Sequence, residues 1–181
     1  MTYFPSMPDA SLIHFMRRYP QYAEPLHHFV EAALRAPNGE LSPAEREMIF
    51  AYVSGLNGCQ FCHAAHTGVA EEMGYPKGEI SNLLEDSGLA GASAKMRPIL
   101  EYAAKLTEDP TSVGKGDIQA VLDAGWSEDT MMNVVMICGA ANLFNRWIEG
   151  CGVKANPQHV NAGIKALAQG GYLDIMEAAK A

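Results

Sequence analysis

Ser42-Pro43-Ala44-Glu45-Arg46-Glu47-Met48-Ile49-Phe50, and soon after it Gly58-Cys59-Gln60-Phe61-Cys62-His63-Ala64-Ala65-His66, decide the fold of this chain. Ser42 is a good N-cap, Pro43 suits the first helical position, and Glu45 completes a capping box. The run beyond predicts a helix to about Leu56, where Asn57-Gly58 is a fitting stop. Cys59 then opens a further helix to about Met73, ended by Gly74-Tyr75-Pro76.

Outward from this pair, apolar residues recur at i, i+3, i+4 spacing and β-branched alternation is nearly absent. A short amphipathic helix spans Ser11 to Arg18 and is stopped by Pro20. A second runs from about Pro25 to Leu34 and closes in the turn Ala36-Pro37-Asn38-Gly39. Ala92 to Leu106 is another, followed by the break Glu108-Asp109-Pro110. Asp117 to Ala124 is short and ends at Gly125, and Ser127 caps a long apolar helix ending near Gly150-Cys151-Gly152. Asn156-Pro157 starts a last helix, and Tyr172 to Lys180 forms a C-terminal arm. The expected architecture is all-α. A faint echo links Leu41–Glu45 with Gly125–Thr130, each ahead of a long apolar helix. Overlaying the two sets Glu47 on Met132, Cys59 on Phe144 and Cys62 on Trp147, so a degenerate internal repeat would keep packing and lose the polar chemistry.

The chain has 181 residues, which predicts a single helical domain (core about 26–153) with an N-terminal helix and a C-terminal arm flanking it. Its formal charge of −8 argues against a general nucleic-acid binder, which needs Lys and Arg to neutralise phosphates. Mean hydropathy of −0.07 and the polar residues Asn133, Asn142, Asn145 and Arg146 in the most apolar stretch argue against a membrane partner. Nothing at Met1 to Pro8 reads as a secretory signal, so the expected location is cytoplasmic. Four cysteines in a reducing compartment point to redox or metal chemistry before structural disulfides.

Cys59, Cys62 and His66 fall on one stripe of a helix, and His63 is turned about 100° away from Cys62. Such a Cys-x-x-Cys can cycle between dithiol and disulfide, join a zinc site, or fill a core. The local zinc set is one ligand short, so neither metal nor cofactor is expected. The helix start favours a thiolate at Cys59, whereas an imidazole four residues on favours one at Cys62. Glu47 borders an apolar face: buried beside a thiol and an imidazole it would be a base, and otherwise it is a solvated glutamate of the kind common in mid-helix. Elsewhere Cys138 reads as core filler, Cys151 as a loop thiol, and His27-His28 as a surface pair. Met131, Met132 and Met136 read as core or subunit contacts. Asn145-Arg146 reads as a buried arginine seeking a carboxylate.

Glu47, then eleven residues to Cys59-x-x-Cys62-x₃-His66, resembles the core motif of the AhpD-like alkylhydroperoxidases of the carboxymuconolactone decarboxylase superfamily. Leu106-Thr107, Asp117-Ile118, Ala124–Ser127 and Asn142–Arg146 through Gly152-Val153 resemble the second half of its peroxidase-related branch. The resemblance covers roughly Leu26 to Val153. It implies the AhpD-like multi-helix fold and a thiol-dependent peroxide reductase with a redox-active disulfide. Carried over, it makes Cys62 the peroxidatic thiolate, Cys59 the resolving thiol, Glu47 the base and His66 part of the proton relay. It further implies a peroxide substrate, a dithiol reductant such as a lipoylated adaptor or a thioredoxin-like donor, and a homo-oligomer, trimeric or hexameric. One position departs: Phe61 stands where the characterised peroxidases carry a second histidine. Its ring would shield the thiols and favour bulkier apolar peroxides. The competing classes are a redox-responsive or metal-binding protein without turnover, and a decarboxylase-like enzyme.

Overall fold

The structure, a computed structural model, describes residues 1–37, 39–86, 89–155 and 157–180. Among them it is all-helical, as the periodicity predicts: α1 (Leu12–Arg18), α2 (Pro20–Arg35), α3 (Pro43–Leu56), α4 (Gln60–Glu72), α5 (Glu79–Glu85), α6 (Arg97–Glu108), α7 (Lys115–Asp123), α8 (Glu128–Cys151), α9 (Pro157–Gly170) and α10 (Tyr172–Lys180). A 3-10 turn, Pro110–Ser112, joins α6 to α7.

Helix α3 is the axis of the molecule. Nine consecutive residues, Arg46 to Ser54, are buried, because α4, α8, α6, α5 and α2 surround it. A helix enclosed on all sides can afford no solvated face, which is why its polar members must find partners inside. Its start is the expected capping box: Glu45 N–H donates to Ser42 Oγ at 3.2 Å, and Ser42 N–H donates to Glu45 Oε2 at 2.7 Å. Its end turns on Gly58 at φ +70°, a left-handed conformation that suits glycine. That turn sends α4 back along α3 with Cys59 as its N-cap. Ser127 caps α8 in the same manner, accepting from Thr130 N–H at 3.2 Å.

Three boundaries differ from expectation. Pro20 begins α2 instead of stopping its predecessor, since proline fits the first helical position as well as it ends a helix. Pro25 then sits inside α2. Helix α5 has no counterpart in the sequence reading, where seven residues with two buried side chains, Ile80 and Leu83, give too short a pattern. Helix α6 starts at Arg97, with Pro98 in its first turn, five residues after the expected Ala92. Asn38 of the expected 36–39 turn and Asn156 of the expected α9 start lie outside the described residues.

The principal core runs from Phe15 through α3 and α8 to Tyr172. A smaller cluster of Met16, Ala23, Met176 and Ala179 fastens α10 to α1 and α2. Helix α9 lies close on α4 where Gly68 meets Ile164, and α10 follows it back towards α2 and α3. The C-terminal arm is therefore part of the packed structure, and it reaches the centre of α3. No described helix is long and apolar enough to cross a membrane.

Candidate active site

Glu47 is fully buried in the middle of α3, and three side chains from three other helices converge on its carboxylate. His66 Nδ1, from α4, lies 2.6 Å from Oε2. Arg35 Nη2, at the end of α2, is 2.5 Å from Oε1. The Tyr172 hydroxyl, from the first turn of α10, donates to Oε1 at 2.8 Å and is 3.2 Å from His66 Nδ1. The His66 ring stacks on Phe50, with centroids 3.6 Å apart and planes 18° from parallel. With Nδ1 turned to Glu47, the imidazole leaves Nε2 as its second proton site.

Burial pushes the Glu47 carboxyl up, but His66, Arg35 and the Tyr172 hydroxyl outweigh it and hold the group below its ordinary value. Glu47 thus stays ionised and orients His66, which corrects the expectation of a base made useful by desolvation. Tyr172 moves the other way: burial and the Glu47 charge raise it well above an ordinary phenol, so it remains a neutral donor.

The two thiols form a second pair at the start of α4, both buried and both reduced. The Cys59 thiol is lowered because the Cys62 side chain and backbone N–H donate to it, outweighing burial. Cys62, donor to Cys59 and more deeply enclosed, is pushed well up. Of the two thiols Cys59, at the helix N-terminus, is thus the more readily ionised. Cys62 has one countervailing neighbour, the Asn145 side chain, whose hydrogen bond lowers it. Asn145 is itself fixed: it donates to Ser54 Oγ at 2.9 Å and accepts from Asn57 Nδ2 at 2.8 Å.

All four residues of the motif are thus buried around the α3–α4 pair. Glu47 meets His66 directly and Cys59 meets Cys62 directly. Cys62 and His66 are one helical turn apart on the same face of α4, and Cys62 lies near enough to Tyr172 to raise it. His63 points elsewhere, its Nδ1 held 3.0 Å from the Ala51 carbonyl. Half-buried Phe61 packs against the core. Among the described residues no three His, Cys, Asp or Glu side chains gather as a metal cage.

Arg35 and Tyr172 escaped the sequence reading. Arg35 ends an amphipathic helix, where a basic residue is ordinary, and Tyr172 follows Gly171 in an arm far from the motif. Three other readings change. His27 is buried, Nδ1 2.7 Å from the Ala23 carbonyl, and only His28 faces solvent. Arg146 is exposed and bonds Asn142 at its backbone and side-chain oxygens, while its neighbour Asn145 is the buried member. Cys151 is the last residue of α8 and is buried; it is not a loop thiol. Met131 is core, whereas Met132 and Met136 are exposed. Cys138 is core filler as expected, with burial pushing its thiol up to about 12. An open groove of about 460 Å³ between the start of α3 and Met73–Pro76 touches none of the four motif residues.

Fold and site together define an all-α protein with a buried dithiol beside a carboxylate–imidazole pair. Residues 20–105 match the family model of the carboxymuconolactone decarboxylase family. Over those residues the chain resembles that family, and its fold is that of AhpD-like proteins. It is similar in fold to an uncharacterised peroxidase-related protein with an AhpD core from Ralstonia eutropha JMP134 (22% identity, TM-score 0.70, 83% of this chain and 78% of that one). A protein of unknown function from Agrobacterium tumefaciens, named in connection with AhpD antioxidant defence, aligns at 17% identity and TM-score 0.71, over 81% of this chain and 99% of that one. A debrominase in complex with 2,3,4-tribromopyrrole aligns at 16% identity and TM-score 0.68, over 84% and 81%. At these identities the likeness establishes the fold. No curated protein matches the sequence.

Proposed function

We propose that this chain is a thiol-dependent hydroperoxide reductase in which Cys59 and Cys62 cycle between dithiol and disulfide. The observation that carries this reading is the adjacency of two pairs: two buried thiols in direct contact, and an imidazole bonded to a buried carboxylate. Loss of the Cys62 proton to His66 leaves a thiolate on Cys62, beside the Asn145 amide and on the His66 face of α4, with Cys59 still a thiol. That thiolate attacks the terminal peroxide oxygen, the O–O bond breaks, and the alkoxide leaves with a proton delivered through His66. The sulfenic acid on Cys62 is then attacked by the Cys59 sulfur, water leaves, and a disulfide closes. A dithiol reductant returns both thiols. In sum, ROOH and two thiols give ROH, water and a disulfide.

The test is consumption of cumene hydroperoxide and of hydrogen peroxide with dithiothreitol as electron donor. Turnover should vanish in Cys62→Ser, and a sulfenic acid on Cys62 should be trapped in Cys59→Ser. Glu47→Gln should slow thiol oxidation by about 10²–10⁴-fold, because the imidazole loses its orienting charge. Turnover no faster than that of the double Cys→Ser variant would sink the reading. The debrominase likeness supplies the comparison substrate: a bromopyrrole reduced to the pyrrole and bromide consumes the same two thiol electrons. Debromination without peroxide turnover would move the chain to that chemistry.

A further inference from the structure

A second carboxylate reaches the dithiol. Glu149, in the last turn of α8, accepts a hydrogen bond from the Cys59 thiol. Its placement follows from the helix period. Asn142, Asn145 and Glu149 stand three and four positions apart and so share one face of α8. Asn57 Nδ2 donates to Asn142 Oδ1 at 3.1 Å and to Asn145 Oδ1 at 2.8 Å, and Asn145 Nδ2 donates to Ser54 Oγ at 2.9 Å. That clamp fixes this face of α8 against the end of α3, and one turn further along it Glu149 meets Cys59, the N-cap of α4. Cys59 and His66 are seven residues apart, about 10 Å along a helix, so Glu149 and Glu47 serve opposite ends of the motif. Their surroundings differ. Glu47 has no solvent exposure, whereas Glu149 and the adjoining Gly150 are exposed. A Cβ added at Gly58, next to Cys59, would meet nothing within 4 Å. Glu149 thus links solvent to a thiol that has no exposure of its own.

We infer that Glu149 is the base for disulfide closure, taking the Cys59 proton as the Cys59 sulfur attacks oxidised Cys62. The inference rests on the peroxidase reading above and supplies the proton acceptor its resolving step needs. In that step the S–S bond forms and the S–O bond of the sulfenic acid breaks. The Cys59 proton passes to Glu149, and the departing hydroxide takes a proton from solvent and leaves as water. Glu149 then returns its own proton to solvent, so thiol and sulfenic acid give disulfide and water with no further reactant. Before oxidation the same carboxylate keeps Cys59 from ionising too early. The Cys62 side chain lowers the Cys59 thiol, while burial and then Glu149 push it up. Other groups bear on the pair: Asn145 of α8 lowers Cys62, and Tyr172 of α10 lies close to it. Ser54 and Asn57 of the α3 end are neutral, and Arg146, one turn before Glu149, is engaged with Asn142 through Nη1.

Rapid oxidation of the intact, reduced protein by cumene hydroperoxide, trapped with dimedone and read by mass spectrometry, separates the two steps. Glu149→Gln should form the Cys62 sulfenic acid at least as fast as wild type. It should close the disulfide about 10²-fold more slowly, the loss expected for a missing general base. The dimedone adduct on Cys62 should therefore accumulate with both cysteines present. Closure should recover as pH rises, because hydroxide then ionises Cys59 without help from a carboxylate. Glu149 is exposed, so unchanged helical circular dichroism separates lost chemistry from lost fold. Closure at the wild-type rate in Glu149→Gln, or a deficit that persists at high pH, would overturn the role of Glu149 and leave the peroxidase reading intact. Absence of any Cys62 sulfenic acid in Cys59→Ser would overturn the peroxidase reading, and this step with it.

Discussion

A carboxylate with no solvent exposure must replace its lost hydration from its neighbours, and Glu47 does so with a guanidinium, an imidazole and a phenol from three different helices. Tyr172 separates a positioning role from a merely packed one. Tyr172→Phe keeps the ring and removes the donor, so stability at neutral pH should fall by about 1.5–3 kcal/mol, the usual value of a hydrogen bond to a charged group. The hydroxyl also helps hold the Glu47 carboxyl below its ordinary value. Its loss should move the acid limb of thiol oxidation to higher pH. Urea denaturation together with a pH–rate profile checks both; an unchanged profile would mean that Tyr172 only fills space. Helical periodicity set Cys59, Cys62 and His66 on one stripe, and the family resemblance added Glu47 from the helix before it. Arg35 and Tyr172 carry no such signature. Their importance arises from tertiary approach, at separations that periodicity does not encode.

Between helices, the C-terminal arm depends on how closely α9 can approach α4. Gly68 makes this possible: an added Cβ would sit 2.2 Å from Ile164 Cδ1 and 2.9 Å from its Cγ1. Rotating the terminal methyl relieves the first contact and leaves the second, so α9 must shift. Gly68→Ala should cost about 1–3 kcal/mol as an overpacked contact. It should also loosen α10, raising hydrogen exchange at the Tyr172 amide, which is otherwise bonded to Glu31 at 2.7 Å. Exchange unchanged in α9 and α10 would show that the contact is slack. Capped helices such as α3 and α8 were legible from Ser42, Pro43 and Ser127, since a cap is a local arrangement of few atoms. Pro20 was ambiguous for a physical reason, as the residue that ends one helix suits the start of the next. Helix α5 was lost because its stability comes from packing on α3 and not from its own pattern.

Across the whole molecule, charge ties distant segments together. Glu40, in the link between α2 and α3, accepts from Ser127 N–H at 3.0 Å, from Ser127 Oγ at 2.6 Å and from the Thr130 hydroxyl, pinning the start of α8. These donors, the Ser127 hydroxyl foremost, lower its carboxyl from 4.5 to about 2. A depressed acid contributes stability that is complete above its unfolded value and is lost as pH falls through its folded one. Glu40→Gln should therefore be less stable than wild type at neutral pH, with the difference shrinking between pH 4.5 and about 2. Thermal melts across that window check the prediction; a gap that stays constant would assign the loss to shape and not to charge. The exposed Met132 and Met136 of α8 were visible in the sequence only as methionines of undecided role, because core and surface share one composition. The Glu47–Tyr172 bond, spanning 125 positions, has a consequence in time. At ordinary rates of synthesis, about 5–20 residues each second, Tyr172 is added some 6–25 s after Glu47. For most of that interval the nascent chain already carries both cysteines and the imidazole, while the phenol that completes the carboxylate's surroundings has yet to be translated.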